Sequence, residues 1–154
     1  MTVSVIAVAS KPSQWVDVAS ENYLKRLPST WKTSVQLLAP SKKSDSAVQR
    51  KQDEWSRIST KIESATTLVL LDERGRSLTS RQFAGEINNR RDLGERLVFL
   101  IGGPDGVADA CRQRANLCLA LAPFTMPHEL ARVVLIEQLY RAHTIIERHP
   151  YHRD

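Results

Sequence analysis

Gly102 and Gly103 follow directly on the apolar run Leu97-Val98-Phe99-Leu100-Ile101, and their type and place suit close approach of a ligand. The run has the length of a strand buried on both faces. At its end, two residues without a Cβ let a ligand reach the backbone, and in open α/β sheets ligands collect at the carboxyl ends of strands. A tight strand-to-helix turn, in which the glycines serve conformation alone, is the competing reading. Two more strand ends run into uncommon loops, Leu71-Asp72-Glu73-Arg74-Gly75 and the stretch from Leu121 to Pro127. Glycine, proline, main chain and Thr125 dominate these loops, which suits a flat, weakly charged ring such as adenine read through N–H and C=O groups. Gly-x-Gly-x-x-Gly and Gly-x-x-x-x-Gly-Lys-Ser/Thr are missing from the sequence, which argues against a dinucleotide or nucleoside triphosphate cradle. Gly-x-Ser-x-Gly and His-Glu-x-x-His are missing too. Cys111 and Cys118 match neither a zinc spacing nor a disulfide framework and read as small core residues, so no metal is expected.

These loops need a sheet to position them. Val3–Ala9, Val35–Ala39, Thr67–Leu71, Leu97–Ile101 and Leu117–Leu121 read as five strands. Helices fall between them: from Ser13 to about Arg26, with Trp15, Val18, Ala19, Tyr23 and Leu27 as its apolar stripe; about Ser46 to Ser64; Ser80, capped by itself or by Thr79, to about Arg91; and Val107 to Ala115. A last helix, about Glu129 to Glu147, is apolar nearly all round and is expected to be buried nearly all round. A second copy of the chain would supply the extra cover; a central core helix of a monomer is the alternative. Pro150 throws the tail Tyr151-His152-Arg153-Asp154 off that helix. Strands alternating with helices predict an α/β fold, a parallel sheet of about five strands with helices on both faces.

A chain of 154 residues with neither repeat nor linker is expected to form one domain, 1–154. Its 42% hydrophobic and 25% charged residues are those of a globular protein. A net charge of +5 accommodates a polyanionic partner without requiring one. No apolar run approaches the roughly 18 residues of a membrane span. Met1–Ala9 lacks the basic region of a signal peptide, so a cytoplasmic location without membrane contact is expected.

The glycine pair lies within Ile101-Gly102-Gly103-Pro104-Asp105-Gly106. Further on come Phe124-Thr125-Met126-Pro127-His128-Glu129-Leu130-Ala131-Arg132-Val133, Glu137-Gln138-Leu139-Tyr140-Arg141-Ala142 and His149-Pro150-Tyr151-His152-Arg153. With Tyr23-Leu24-Lys25-Arg26-Leu27 and Leu71-Asp72-Glu73-Arg74-Gly75, these motifs span essentially the whole chain. In them the chain resembles the ribosomal RNA large subunit methyltransferase H family, of the knotted SPOUT class. Two stretches depart from the family pattern: Ser10 precedes Lys11 where a glycine is usual, and Leu119-Ala120-Leu121-Ala122 replaces a serine-containing stretch.

The resemblance implies a deep C-terminal trefoil knot, a homodimer, and S-adenosyl-L-methionine as the cofactor. The reaction it implies is methylation of N3 of a pseudouridine in a large-subunit (23S) ribosomal RNA loop. Neither the charge nor the small domain suggests a dedicated RNA module, so the assembled ribosome is the expected substrate. Carried over by motif, the cofactor pocket takes Leu71, Gly102 and Gly103, together with Leu121, Ala122, Pro123, Phe124, Thr125 and Met126. In such a pocket a Cβ on Gly103 would intrude on the purine. The acceptor nitrogen must lose a proton, so a base and a cation are wanted. His152 and Arg153 supply that pair, with Tyr151 as a stacking or hydrogen-bonding platform. The base is His152, His128 or water, and His128 serves equally well as a helix cap. An incidental, disordered terminus is the competing account of the tail. Lys42, Lys43, Arg50, Lys51, Arg90, Arg91, Arg112 and Arg114 are candidate phosphate contacts. Two other function classes fit parts of the sequence. One is a non-catalytic ribosome- or RNA-associated protein with a vestigial pocket, and the other is a monomeric, flavodoxin-like small-molecule binder.

Overall fold

Five runs of branched and aromatic residues pair as one parallel sheet in a computed structural model that describes residues 1–153. They are β1 (Thr2–Val8), β2 (Ser34–Leu38), β3 (Thr67–Ser77), β4 (Arg96–Ile101) and β5 (Leu117–Ala120), in the spatial order β2-β1-β4-β3-β5. Side chains of a strand alternate between faces, and β4 divides accordingly. Leu97, Phe99 and Ile101 join one buried cluster, while Val98 and Leu100 join another on the opposite face. The first face is covered by α3 (Ser80–Asp92) and α5 (His128–Ile146), with α1 (Gln14–Leu24) packed along α5. The second is covered by α2 (Ala47–Ser59) and α4 (Asp109–Arg114). Phe99 is fully buried, its ring edge-on to Phe83 at 6.1 Å. Burying one such side chain stabilises the fold by roughly 1.5–3 kcal/mol.

Three elements differ from what periodicity predicts. β3 does not stop at Leu71. It pairs Leu71 with Leu119, makes an excursion through Asp72–Gly75, and resumes with Arg76 opposite the same Leu119. Gly75 permits this, because a Cβ there would lie 2.6 Å from the carbonyl carbon of Cys118. On α1, the side chains turned inward are Val16 and Ser20, leaving Trp15 and Val18 exposed. Apolar residues lie on two sides of this short helix, and α5 takes the side bearing Val16. α5 itself is covered mostly by its own chain: α1, α3 and the sheet leave only Leu130 of its 19 residues exposed.

The ends of α3 and α5 are fixed by local chemistry. Thr79, not Ser80, caps α3, in a reciprocal box with Gln82. α5 closes with a Schellman turn, in which the His149 N–H reaches the Thr144 carbonyl and the Arg148 N–H reaches that of Ile145. Arg148 therefore adopts the left-handed conformation, φ +56°, and the chain reverses before Pro150 is reached. Tyr151 and His152 fold back onto α5 and are held there.

Candidate active site

Beside the excursion of β3 and at the carboxyl ends of β4 and β5 lies a cavity of about 390 Å³. Leu71 borders it from β3, Gly102 and Gly103 from the turn after β4, and Leu121, Ala122, Phe124, Thr125 and Met126 from the segment after β5. Pro123 alone of the nine predicted pocket residues does not. His128 and Ala131, in the first turn of α5, close another side.

The turn after β4 is made by Gly103, whose carbonyl accepts the Gly106 N–H at 2.9 Å, and by Gly106, at φ +81°. Arg50 of α2 pins it, donating from Nε and Nη2 to the Asp105 carboxylate at 2.8 and 3.2 Å. That guanidinium holds Asp105 below the usual carboxylate range. Gly102 and Gly103 have ordinary φ values, so their need for glycine is one of space. A Cβ on Gly103 would lie 2.9 Å from Val8 Cγ1, and one on Gly102 would lie 2.7 Å from Val107 Cγ1. A side chain on Gly103 would therefore crowd Val8 of β1, in addition to any effect it has on a ligand in the cavity that Gly103 borders.

The site carries more charge than its loops suggest in sequence. The excursion of β3 brings Asp72, Glu73 and Arg74 to the cavity, where Asp72 pairs with Arg112 of α4. Thr125 Oγ1 donates to Glu73 Oε2 at 3.0 Å, linking the segment after β5 to β3. Glu129 accepts both the N–H and the hydroxyl of Ser13, at 2.8 and 3.0 Å, which ties the start of α1 to the start of α5. Those bonds hold the Glu129 carboxyl below its ordinary range. Among the described residues no group of three or more could hold a metal ion, and no helix is long and apolar enough to cross a membrane.

Tyr151, His152 and Arg153 do not border this cavity. Tyr151 and His152 lie further along α5, against Glu137 and Arg141. Tyr151 Oη donates to Glu137 Oε1 at 3.0 Å, and Arg141 donates to the same oxygen from Nε at 2.9 Å. The Arg141 guanidinium lies 4.9 Å from the Tyr151 ring centroid, and its Nη1 is 3.2 Å from His152 Nδ1. Tyr140 meets Tyr151 edge-on at 4.8 Å. Burial, with hydrogen bonds to Tyr23 and Glu137, pushes the Tyr151 phenol up and keeps it protonated. Arg153 is exposed.

The candidate phosphate contacts are largely occupied within the chain. Arg50, Arg91 and Arg112 face carboxylates, as does Lys43 through Asp53. Arg90 bridges Glu86 and Glu95, and Arg114 holds Asn116 and the Thr66 carbonyl. Burial pushes the Cys111 thiol up to about 12, in keeping with a core residue.

A family model described as a predicted SPOUT methyltransferase matches residues 1–152. The ribosomal RNA large subunit methyltransferase H of Neisseria gonorrhoeae (strain NCCP11945) is 40% identical over 156 residues, covering 100% of both chains. Its counterpart in Neisseria meningitidis serogroup A (serotype 4A, strain DSM 15465 / Z2491) is 39% identical, also over 100% of both. A solved structure, the SpoU methyltransferase AviRb from Streptomyces viridochromogenes in complex with AdoMet, aligns with a TM-score of 0.43 at 13% identity. The alignment covers 94% of this chain and 61% of that one.

Proposed function

We propose a function from one premise: the chain belongs to the SPOUT methyltransferase family and, within it, to the ribosomal RNA large subunit methyltransferase H family. On this reading it transfers a methyl group from S-adenosyl-L-methionine to N3 of a pseudouridine in a large-subunit (23S) ribosomal RNA loop, acting as a homodimer on the assembled ribosome. The observation that carries the reading is the cavity of about 390 Å³, built from the same three segments whose motifs the family shares.

The cavity fits the cofactor. Its size falls within the roughly 300–1,000 Å³ of small-molecule sites. Leu71, Leu121 and Met126 offer apolar surface beside glycine backbone, which suits a purine. Glu73, hydrogen-bonded to a neutral hydroxyl, adds a negative charge at the rim that suits a sulfonium. When bound, S-adenosyl-L-methionine supplies an electrophilic methyl group. The chain's own contribution is largely position, since holding the two reactants in line removes much of the barrier. Arg50, through Asp105, fixes the glycine turn that would meet the cofactor. Arg153 supplies a cation for an anionic ring, and Tyr151 a protonated phenol beside it.

The tail lies on α5 away from its own chain's cavity, and that favours a partner. Ala131 and Arg141 stand ten residues apart, about 15 Å along the helix axis. A two-fold axis packing α5 antiparallel against its copy would bring each tail toward the other chain's cavity. Exposed Trp15 and Val18 on α1, joined to Leu130 on α5 by the Ser13–Glu129 bonds, offer an apolar surface for that contact.

Calorimetry with S-adenosyl-L-methionine, followed by methyl transfer to ribosomal subunits lacking the modification, tests the reading. The expected result is saturable binding and one methyl group, mapped to N3 of a pseudouridine. Absence of binding would return the chain to a non-catalytic RNA-associated protein. A methyl group on another nucleotide would replace the proposed target.

A further inference from the structure

The tail is anchored through a chain of hydrogen bonds whose direction chemistry fixes. Glu137 Oε1 accepts from Arg141 Nε and Nη2 and from the Tyr151 hydroxyl. The guanidinium is thereby oriented with Nη1 toward His152 Nδ1, 3.2 Å away. An arginine side chain has five N–H donors and no acceptor, so Nδ1 must be the acceptor in this contact. A neutral imidazole that accepts at Nδ1 carries its proton on Nε2. A hydrogen on Nδ1 would point at the guanidinium, which has no acceptor to offer it.

Resting on the reading that the tail serves methyl transfer, we infer that Glu137 and Arg141 are positioning residues that lock His152 as the Nε2–H tautomer, and that His152 acts as a hydrogen-bond donor to the target ring and not as its general base. In the step so assisted, the N3 proton leaves to water and charge develops on the carbonyl oxygens flanking N3. One of these oxygens accepts the Nε2–H. The bond from N3 to the methyl carbon forms as the bond from that carbon to sulfur breaks, and the imidazole neither gains nor loses a proton. Among the described residues, the titratable and charged groups around this cluster include Tyr23 of α1 and Arg26 just beyond it, Glu137, Tyr140 and Arg141 from α5, and Tyr151. The Glu137 carboxylate keeps the Arg141 guanidinium firmly protonated, so the donor persists across the range in which histidine titrates.

Nitrogen NMR of the ¹⁵N-histidine protein, with His152 assigned by loss of its signals in His152→Gln, reads the tautomer directly. A pyridine-like Nδ1 and a pyrrole-like Nε2 are expected near neutral pH, and Glu137→Gln should blur that pattern into a mixture. An Nδ1–H tautomer or an imidazolium in the wild type would overturn the inference. Methyl transfer to ribosomal subunits supplies the second arm. His152→Gln, which keeps a donor near Nε2, should stay within about tenfold of wild type, while His152→Ala should lose about 100-fold or more. Equal losses in the two variants, or a rise of kcat/KM with pH near 6.5 that vanishes in His152→Gln, would make His152 the base after all. Full activity in both variants would remove His152 from catalysis, and the donor role with it, whatever the spectrum shows.

Discussion

A hydrogen of Gly103 occupies the position from which a methyl group would press on Val8, so this glycine answers to β1 before it answers to any ligand. Overpacking of this kind costs about 1–3 kcal/mol. Gly103→Ala should lower Tm and weaken S-adenosyl-L-methionine binding together, by displacing the turn. In a Val8→Ala background the added methyl group has room, so the loss on both measures should shrink, as a double-mutant cycle would register. An affinity loss of the same size in both backgrounds would instead put the methyl group in the ligand's own space. What the sequence reveals at this scale is the missing Cβ, because that is written in the residue type. Which neighbour uses the space depends on how closely β1 and β4 approach, and no motif encodes that. The charges of Asp72, Glu73 and Arg74 reach the cavity for a similar hidden reason, the close approach of Gly75 to the backbone of Cys118.

Elements were legible where a local rule decides them. The sequence Thr79-Ser80-Arg81-Gln82 contains the reciprocal cap of α3, and the five apolar runs became the five strands. The rule failed on α1, where apolar side chains on two sides left the buried face undetermined until α5 packed against one of them. At the far end of α5, His143 has consequences for stability. Its imidazole meets the Trp31 ring edge-on at 5.5 Å, and burial holds it below the ordinary histidine range. Arg91 and His149 push in the same direction, against Glu147. A histidine with a depressed folded-state pKa stabilises fully above its unfolded value of about 6.5 and less as pH falls below that, because the unfolded chain takes up the proton first. Thermal unfolding between about pH 7.5 and 5.5 should therefore show Tm declining in the wild type, and declining less in His143→Phe, which keeps a ring against Trp31. Parallel declines in the two proteins would assign the acid sensitivity to other groups.

At the scale of the whole molecule, burial of α5 is a weaker argument for a dimer than its sequence suggests. Leu139, fully buried, belongs to the core with Leu135, so a charge there would damage the fold before it tested any interface. The stronger argument is the division of the proposed machinery between a cavity at one end of α5 and a tail held by Glu137 and Arg141 near the other. If each tail serves the partner's cavity, two differently damaged chains can repair one another. One chain would carry Gly103→Val, which spoils the cavity and leaves the tail intact. The other would end at Pro150, lacking Tyr151, His152 and Arg153 along with Asp154, which lies outside the described residues, and would keep its cavity. Each variant alone should lose at least about 100-fold in methyl transfer to ribosomal subunits. Co-expressed with different tags and purified as the mixed dimer, they should recover about half of the wild-type activity, because one of the two cavities is then paired with an intact tail from the other chain. A tail that served its own chain's cavity would leave the mixed dimer as inactive as its parents. A wild type that sediments as a monomer would end the argument before the mixture is made.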